Sequence, residues 1–531
     1  MVISMIIIPL VARLAPRIGL IDRPDPRKVH AVPVPRAGGV GIVLGALVPL
    51  AIWLPIDELS STYFFGALIL LFFGIWDDIS ELGHYVKFIG QIIAVVPVVY
   101  YGDLYITHFP FMGLETIPES VGKPLTVFAI MGMINAINHS DGLDGLAGGM
   151  SLLSLGCMAY LAYLADGVPV MLVALATLGG VFGFLRYNTH PARVFMGDSG
   201  SQFLGFTSGF LAVFLIEKVN PTLSYALPAL FLGLPIADIL GVFVQRVYHG
   251  MNWFRATRNH IHHRLLQLGF DHHEAVIAIY SVQILFIVSA ILLSYESDFL
   301  ILSIYLGVCF LIFILLTAAE HRGWRAHGSS RTSKLTWVIH AIKKHRLFVI
   351  VPAKIVTIAI PLLFFLVSLL AEKIPGDFGF SSAVLAAILL FFIMTGNKKD
   401  SIVVQAIHYV TAAFIVYLET KFFGRQIPSF NVIEVIYFVV LAMATGLTIR
   451  YAREVRFSTT PMDYLVIFLI LFAGILLHNM PEKADIGFMA VKLAVLFYGC
   501  ELIVSQMRRN WSLMNLSTLG TLVILTVRGW I

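Results

Sequence analysis

Residues 124–149 read PLTVFAIMGMINAINHSDGLDGLAGG. The stretch opens as an apolar run over 124–138, and as that run ends four polar side chains recur at every third position: Asn135, Asn138, Asp141 and Asp144. Residues three apart are neighbours on one helix face, so the first of these converge. Gly142, Gly145, Gly148 and Gly149 then interrupt the pattern. A glycine costs a helix about 1 kcal/mol relative to alanine, but it lets backbone approach a ligand closely. A second apolar run starts at 148. Amides and carboxylates strung together where a membrane helix surfaces have the composition of a site, and the apolar runs on either side set the fold.

The same alternation covers the whole chain. Of its 531 residues 58% are hydrophobic and only 13% charged, with a mean hydropathy of +0.88. Runs near the roughly 20 residues that cross a bilayer recur throughout. The expected class is an all-α polytopic membrane protein. Eleven spans are expected near 1–14, 38–55, 62–76, 88–101, 124–138, 148–165, 168–185, 202–216, 222–245, 276–294 and 299–318. A basic hydrophilic stretch, His321–Arg346, follows. Seven more spans are expected near 347–370, 377–396, 401–419, 431–449, 462–478, 487–505 and 512–529. The resulting division is a first membrane domain over 1–320, a basic linker over 321–346 and a C-terminal membrane region over 347–531. The N-terminal run has no basic leader and no small-residue cleavage pattern, so it reads as a retained first helix.

Charge sets the topology. Of the 22 Lys and Arg up to Arg346, only Lys123 and Lys218 fall in one alternate set of loops. The loops near 13–37, 77–87, 139–147, 186–201, 246–275 and 319–346 are therefore expected in the cytosol, with the N-terminus outside. That bias accounts for the net charge of +5, so no nucleic-acid partner is expected. Cys157, Cys309 and Cys500 all lie in apolar runs and read as buried thiols.

The polar chemistry pools in the same loops. Asp77 and Asp78 end an apolar run, with Lys87 further on. Adjacent carboxylates at a headgroup boundary repel unless a cation or proton lies between them, which favours metal or phosphate handling over a plain helix end. Asp198 sits in VFMGDSGS, and an oxygen-rich set of Asp and Asn suits Mg²⁺, with Mn²⁺ as the alternative. His260, His262 and His263, with Arg264, spell HIHHR, which is either a transition-metal tract or a polyanion-binding loop. Phe195 beside the glycine turn is equally suited to core packing and to stacking on a base. His84, His108 and His272 read as ordinary interfacial residues.

Taken together, DRPDPRKVHAVPVPRAGG, the Asp77–Asp78 pair with Lys87, NAINHSDGLDGLAGG, YNTHPARVFMGDSGSQFLG and HIHHRL resemble, in order, the motifs of the polyprenyl-phosphate N-acetylhexosamine-1-phosphate transferases, glycosyltransferase family 4. These membrane enzymes begin O-antigen, common-antigen, teichoic-acid and peptidoglycan assembly. The resemblance covers residues 1–320. It implies a UDP-sugar donor, a polyprenyl (undecaprenyl) phosphate acceptor, Mg²⁺, UMP as leaving group and a site facing the cytosol of a bacterial inner membrane. By position, it implies metal binding at Asn138 and Asp198, and acceptor-phosphate chemistry at Asp77, Asp78 and Lys87. It places Asn135, Asp141, Asp144, Asn188 and Phe195 around the substrate, and HIHHR on the sugar diphosphate. The HxHH form is similar to the GlcNAc-type branch. The chain departs from the family at Thr257, near where an Asp usually precedes HxHH.

Two alternatives stand beside that expectation. One is the phospho-MurNAc-pentapeptide branch. The other is a transporter of lipid-linked sugars, which would place its polar site near mid-membrane on broken helices. After residue 346 no comparable cluster appears, although Glu419 and Glu501 lie in or beside apolar runs. The C-terminal region remains open as a partner scaffold, a lipid-handling module or a homo-oligomer surface.

Overall fold

The computed structural model of the chain describes residues 1–23, 32–110, 116–248, 250, 259–326, 347–394, 401–422, 430–451, 484–506 and 511–530. Within these residues every apolar run expected from the sequence except one is a single helix. The expected span 462–478, the segment 24–31 of the first motif, Thr257, Arg258 and most of the basic linker lie outside the described residues. Ten of the described helices are long and apolar enough to cross a membrane. The chain is a multi-pass, all-α membrane protein; among the described residues one small sheet pairs β1 (Ile21–Asp22) with β2 (Val34–Pro35), antiparallel.

The described residues form two compact units. The first contains α1 (Val2–Ile18), α2 (Gly38–Trp53), α3 (Glu58–Ser80), α4 (His84–Tyr100), α5 (Glu119–Ser140), α6 (Leu146–Leu164), α7 (Val168–Asn188), α8 (Gly197–Phe214), α9 (Pro228–Phe231), α10 (Gly233–Tyr248), α11 (Ile261–Gln267), α12 (His272–Leu292) and α13 (Asp298–His321). A π-helical turn, Leu215–Val219, prolongs α8. The most enclosed span is α8, packed against α2, α3 and α5. Small residues make this closeness attainable. A Cβ on Gly205 of α8 would lie 2.4 Å from the Ile134 Cα of α5, and one on Gly74 of α3 would lie 2.3 Å from the Ser199 Cα. The second contact brings the end of α3, with its two aspartates, against the start of α8.

Local signals fix the ends of α3. Asp57 accepts from the Ser60 amide at 2.7 Å while Ser60 Oγ accepts from the Asp57 amide at 2.8 Å, a reciprocal cap. At the other end Asp77 Oδ1 accepts from the Leu82 amide at 2.6 Å, closing the turn that leads to α4.

The exception is the run 222–245, expected as one span and found as α9 and α10, broken at Leu232. Proline at 235 removes a donor from the first turn of α10. The freed groups are met from α12 and α13. Gln283 accepts from the Leu234 amide at 3.1 Å and donates to the Phe231 carbonyl at 3.0 Å, and Tyr305 OH donates to the Gly233 carbonyl at 3.1 Å. Polar backbone inside a membrane bundle must be satisfied by protein, and these two side chains do so.

The second unit is built from α14 (Leu347–Leu370), α15 (Gly376–Met394), α16 (Ser401–Phe422), α17 (Phe430–Tyr451), α18 (Ala484–Gln506) and α19 (Trp511–Trp530). Its core gathers Ile360, Phe364, Ile415, Leu441 and Leu496. Buried Glu419 of α16 pairs with Lys492 of α18 at 2.7 Å, and Lys492 also pairs with Glu434 of α17. Glu501 accepts from Tyr409 OH. Both acids noted in the sequence therefore have partners within the unit.

Candidate active site

At one end of the first unit, Lys87 Nζ lies 2.5 Å from Asp77 Oδ2 and 2.7 Å from Asp198 Oδ2. The helix end of α3, the first turn of α4 and the first turn of α8 each supply one member. Asn138, in the last turn of α5, adds a fourth: its Nδ2 donates to Asp198 Oδ1 at 2.9 Å and to Ser201 Oγ at 2.8 Å. Four side chains far apart in sequence thus share one polar cluster.

The adjacent aspartates do different things. Asp77 faces the lysine. Asp78, only 4% exposed, turns to the start of α8. It accepts from the Asp198 amide at 2.9 Å, the Ser199 amide at 3.3 Å and Ser199 Oγ at 3.1 Å, with Arg36 Nη1 at 3.8 Å. A carboxylate on free amides at a helix N-terminus is a cap and satisfies the dipole there. Arg36 in turn donates to Asp22 at 2.5 Å, tying in the β1–β2 ladder. Expected with Asp77 in acceptor-phosphate chemistry, Asp78 in this structure holds Asp198 in place.

Asp141 follows directly on α5, and no described group donates to its carboxylate. Burial, then the charges of Asp198, Asp78 and Asp144, push its carboxyl up to about 7. A carboxyl held this far above its ordinary value by burial, with like charges adding to the shift, marks a place where a cation is stabilising. The donors are all oxygens, from Asp198, Asp141 and the Asn138 carbonyl, which is the set that hard Mg²⁺ or Mn²⁺ takes.

Asn135 points away, to α4, donating to Gln91 Oε1 at 3.0 Å. Asn188 is buried with both amide ends on main chain: it accepts from the Gly145 amide at 2.8 Å and donates to the Val194 carbonyl at 3.0 Å. It shapes the DGLDG turn from beneath. Phe195 binds through its backbone, its amide donating to Pro35 O at 2.8 Å and its carbonyl accepting from Gly38 at 2.9 Å. Asp144 Oδ2 lies 2.7 Å from His190 Nδ1 and accepts from the Ala192 amide at 3.0 Å.

The histidine tract splits in the same way. His260 Nδ1 lies 2.8 Å from Asp238 Oδ2, whose other oxygen accepts from the Ile261 amide at 2.8 Å. The His262 ring lies against Gly142, and its Nε2 is buried without a hydrogen-bond partner. Burial and His263 push His262 down to about 3, so it is neutral. Arg264 is buried and bidentate to Glu320, at 2.7 and 2.8 Å, with Thr317 Oγ1 at 2.9 Å. Expected on the sugar diphosphate, Arg264 here fastens α11 to α13. The sequence reading missed Asp238 and Glu320. Asp238 had a signal, an acid inside an apolar run; Glu320 had none.

The first unit is a multi-pass helical bundle of a membrane protein, with a lysine, carboxylates and an amide gathered at one end. Residues 61–216 match the family model described as glycosyl transferase family 4. Over 314 residues the chain is 36% identical to a probable undecaprenyl-phosphate N-acetylglucosaminyl 1-phosphate transferase of Bacillus subtilis, covering 59% of this chain and 86% of that protein. It is 26% identical over 319 residues to the undecaprenyl-phosphate alpha-N-acetylglucosaminyl 1-phosphate transferase of Escherichia coli K12, covering 59% and 87%. It is 32% identical over 301 residues to the decaprenyl-phosphate N-acetylglucosaminephosphotransferase of Mycobacterium tuberculosis, covering 51% and 74%. The chain belongs to glycosyl transferase family 4.

Proposed function

We propose that the first unit transfers N-acetylglucosamine 1-phosphate from UDP-N-acetylglucosamine to undecaprenyl phosphate at the cytosolic face of a bacterial inner membrane, releasing UMP. The observation that carries this reading is Lys87 set between Asp77 and Asp198 with Asn138 alongside. The main barrier is bringing two phosphates together, and a cationic side chain beside carboxylates answers it.

An oxygen of the lipid phosphate attacks the β-phosphorus of the donor, and the bond to the UMP oxygen breaks. With a second pKa near 6, the acceptor is largely dianionic at neutral pH. It needs positioning more than a strong base, which favours direct displacement over a covalent aspartyl intermediate. Lys87 neutralises the incoming phosphate and Asp77 orients it, while Asp78 keeps the α8 N-terminus fixed. Asp198, Asn138 and Asp141 would hold Mg²⁺. When bound, Mg²⁺ supplies charge neutralisation on the diphosphate. Asp141 and Asp144 line the nucleotide, with His260 and His263 facing the sugar diphosphate. An apolar cleft of ≈ 550 Å³, lined by Phe128, Met133, Val213, Ile239, Leu240 and Phe243, suits a prenyl chain.

Purified protein with undecaprenyl phosphate, Mg²⁺ and radiolabelled UDP-N-acetylglucosamine, run beside Asp198→Asn, tests the reading. Metal-dependent lipid-linked product that the variant loses supports it. Transfer only from UDP-MurNAc-pentapeptide or another UDP-N-acetylhexosamine overturns the donor. No transfer from any donor overturns the reaction.

A further inference from the structure

Two loops and a helix start of the first unit bring together a carboxylate and two imidazoles, and the proposed transfer gives the imidazoles no part. Asp144 comes from the turn between α5 and α6, His190 from the loop between α7 and α8, and His272 from the first turn of α12. One ligand atom from each lies within 4.8 Å of the other two. The His190 and His272 rings stack at 4.1 Å, and His273 stands edge-on to His190 at 5.1 Å. Nδ1 of His272 and Nδ1 of His273 are both buried without a hydrogen-bond partner.

We propose that Asp144, His190 and His272 form a second metal site, for a borderline divalent cation of the Zn²⁺ class. One carboxylate and two imidazoles is a ligand set that favours zinc, cobalt or nickel over magnesium, in contrast to the all-oxygen set around Asp198. In the metal-free arrangement a proton fills the gap, lying between His190 Nδ1 and Asp144 Oδ2, which are 2.7 Å apart. The Asp144 amide donates to His272 Nε2 at 3.1 Å and so already orients that ring. Cation entry displaces the shared proton and passes the amide hydrogen to water, so affinity falls as pH falls. The Ala192 amide, 3.0 Å from Asp144 Oδ2, holds the carboxylate from outside the ligand set. The side chains of His190 and Asp144 are 34% and 20% exposed, which gives the cation an entry path and leaves room for a water ligand. Occupancy ties the DGLDG turn to the α7–α8 loop and α12. Under the proposed nucleotide role of Asp144, which this one consequence rests on, Zn²⁺ slows transfer.

Binding is read directly, so the outcome does not depend on the transferase reading. Tag-free full-length protein in detergent is titrated with Co²⁺ and followed by visible absorption. The expected result is an intense four- or five-coordinate spectrum saturating at one Co²⁺ per chain, abolished by Zn²⁺ and unaffected by excess Mg²⁺. His190→Gln and His272→Gln should each weaken binding by more than about 100-fold, beyond the loss typical of an outer partner. Asp198→Asn should leave it unchanged. If His272→Gln fails to elute as folded protein, His190→Gln, with its part-exposed ring, decides. Three results overturn the proposal: an octahedral, weak spectrum only; a strong spectrum that survives His190→Gln; or a spectrum lost instead in His262→Gln, which would put the cation on the HIHH tract.

Discussion

Asp78→Ala should destabilise the first unit, while Asp77→Asn should disable it with little loss of stability. Asp78 takes three donors, the Asp198 amide, the Ser199 amide and Ser199 Oγ, at 2.9, 3.3 and 3.1 Å. Each buried donor left unpaired costs about 1–3 kcal/mol, and losing a helix cap costs about 1 kcal/mol. Some of this overlaps, and water entering the space left by the side chain recovers more, so the net loss is about 3 kcal/mol. At roughly 2 °C per kcal/mol for a unit of this size, the melting temperature should fall by about 6 °C. Asp77→Asn keeps an oxygen for the Leu82 amide and loses a pair with Lys87, which is 30% exposed. The lysine end is part-exposed and keeps its pair with Asp198, so the loss is about 1 kcal/mol, or about 2 °C. In turnover the order reverses: Asp77→Asn should lower kcat about 100-fold or more, in the range for a lost positioned polar group. Intrinsic-fluorescence melting in detergent and the radiolabel transfer assay, run on both variants, give the two readouts. Equal melting losses in the two variants, or a stable Asp78→Ala, would refute the division of labour between neighbouring aspartates.

Four further outcomes follow from the geometry. Gly142→Ala places a Cβ 2.2 Å from His262 Nε2, so it should raise KM for the UDP-sugar about tenfold through displacement of the HIHH segment; an unchanged KM in steady-state kinetics would detach that segment from the donor. Glu320→Gln should cost about 3 kcal/mol by leaving buried Arg264 half-paired, and the double variant Arg264→Met/Glu320→Met should recover most of it in thermal melts. Retained turnover in that double variant would show that Arg264 has no phosphate to bind. Because Asp141 is held up to about 7, the carboxylate that a cation needs is depleted below that pH, so Mn²⁺ affinity by electron paramagnetic resonance should fall about tenfold from pH 6 to pH 5, and a flat profile would remove Asp141 from the cation set. In the second unit, Lys492→Met leaves Glu419 and Glu434 facing each other and should lower its unfolding free energy by about 3 kcal/mol or more, read by limited proteolysis of that unit.

Helix positions were legible because an apolar run long enough for a bilayer has little choice but to be helical. The break between α9 and α10 was not, since its cause is shared between Pro235 in the run and Gln283 and Tyr305 from distant helices. The polar cluster could be located, since Asp77, Lys87, Asn138 and Asp198 all lie where spans end on the basic side. The separate duties of Asp77 and Asp78 were hidden, because neighbours on a helix point about 100° apart and sequence gives no hint of what each meets. Nothing in the sequence signalled that Glu320, 56 positions away, takes Nε and Nη2 of Arg264, leaving Nη1 without a hydrogen-bond partner. His272 read as interfacial for the same reason: its partners, Asp144 and His190, come from other loops.

The ammonium of Lys87 is a resident counter-ion. With Asp77 on one side and Asp198 on the other, its one positive charge offsets part of the negative charge of two carboxylates. An arriving phosphate draws the lysine toward itself and leaves two carboxylates in want of positive charge. Under the proposed function, a divalent cation held by the carboxylates would free the lysine for an anion. Each ligand thus prepares the site for the other, and by reciprocity the coupling is the same in either order. Under the proposed function, the site is expected to fill with an oppositely charged pair more readily than with either ion alone.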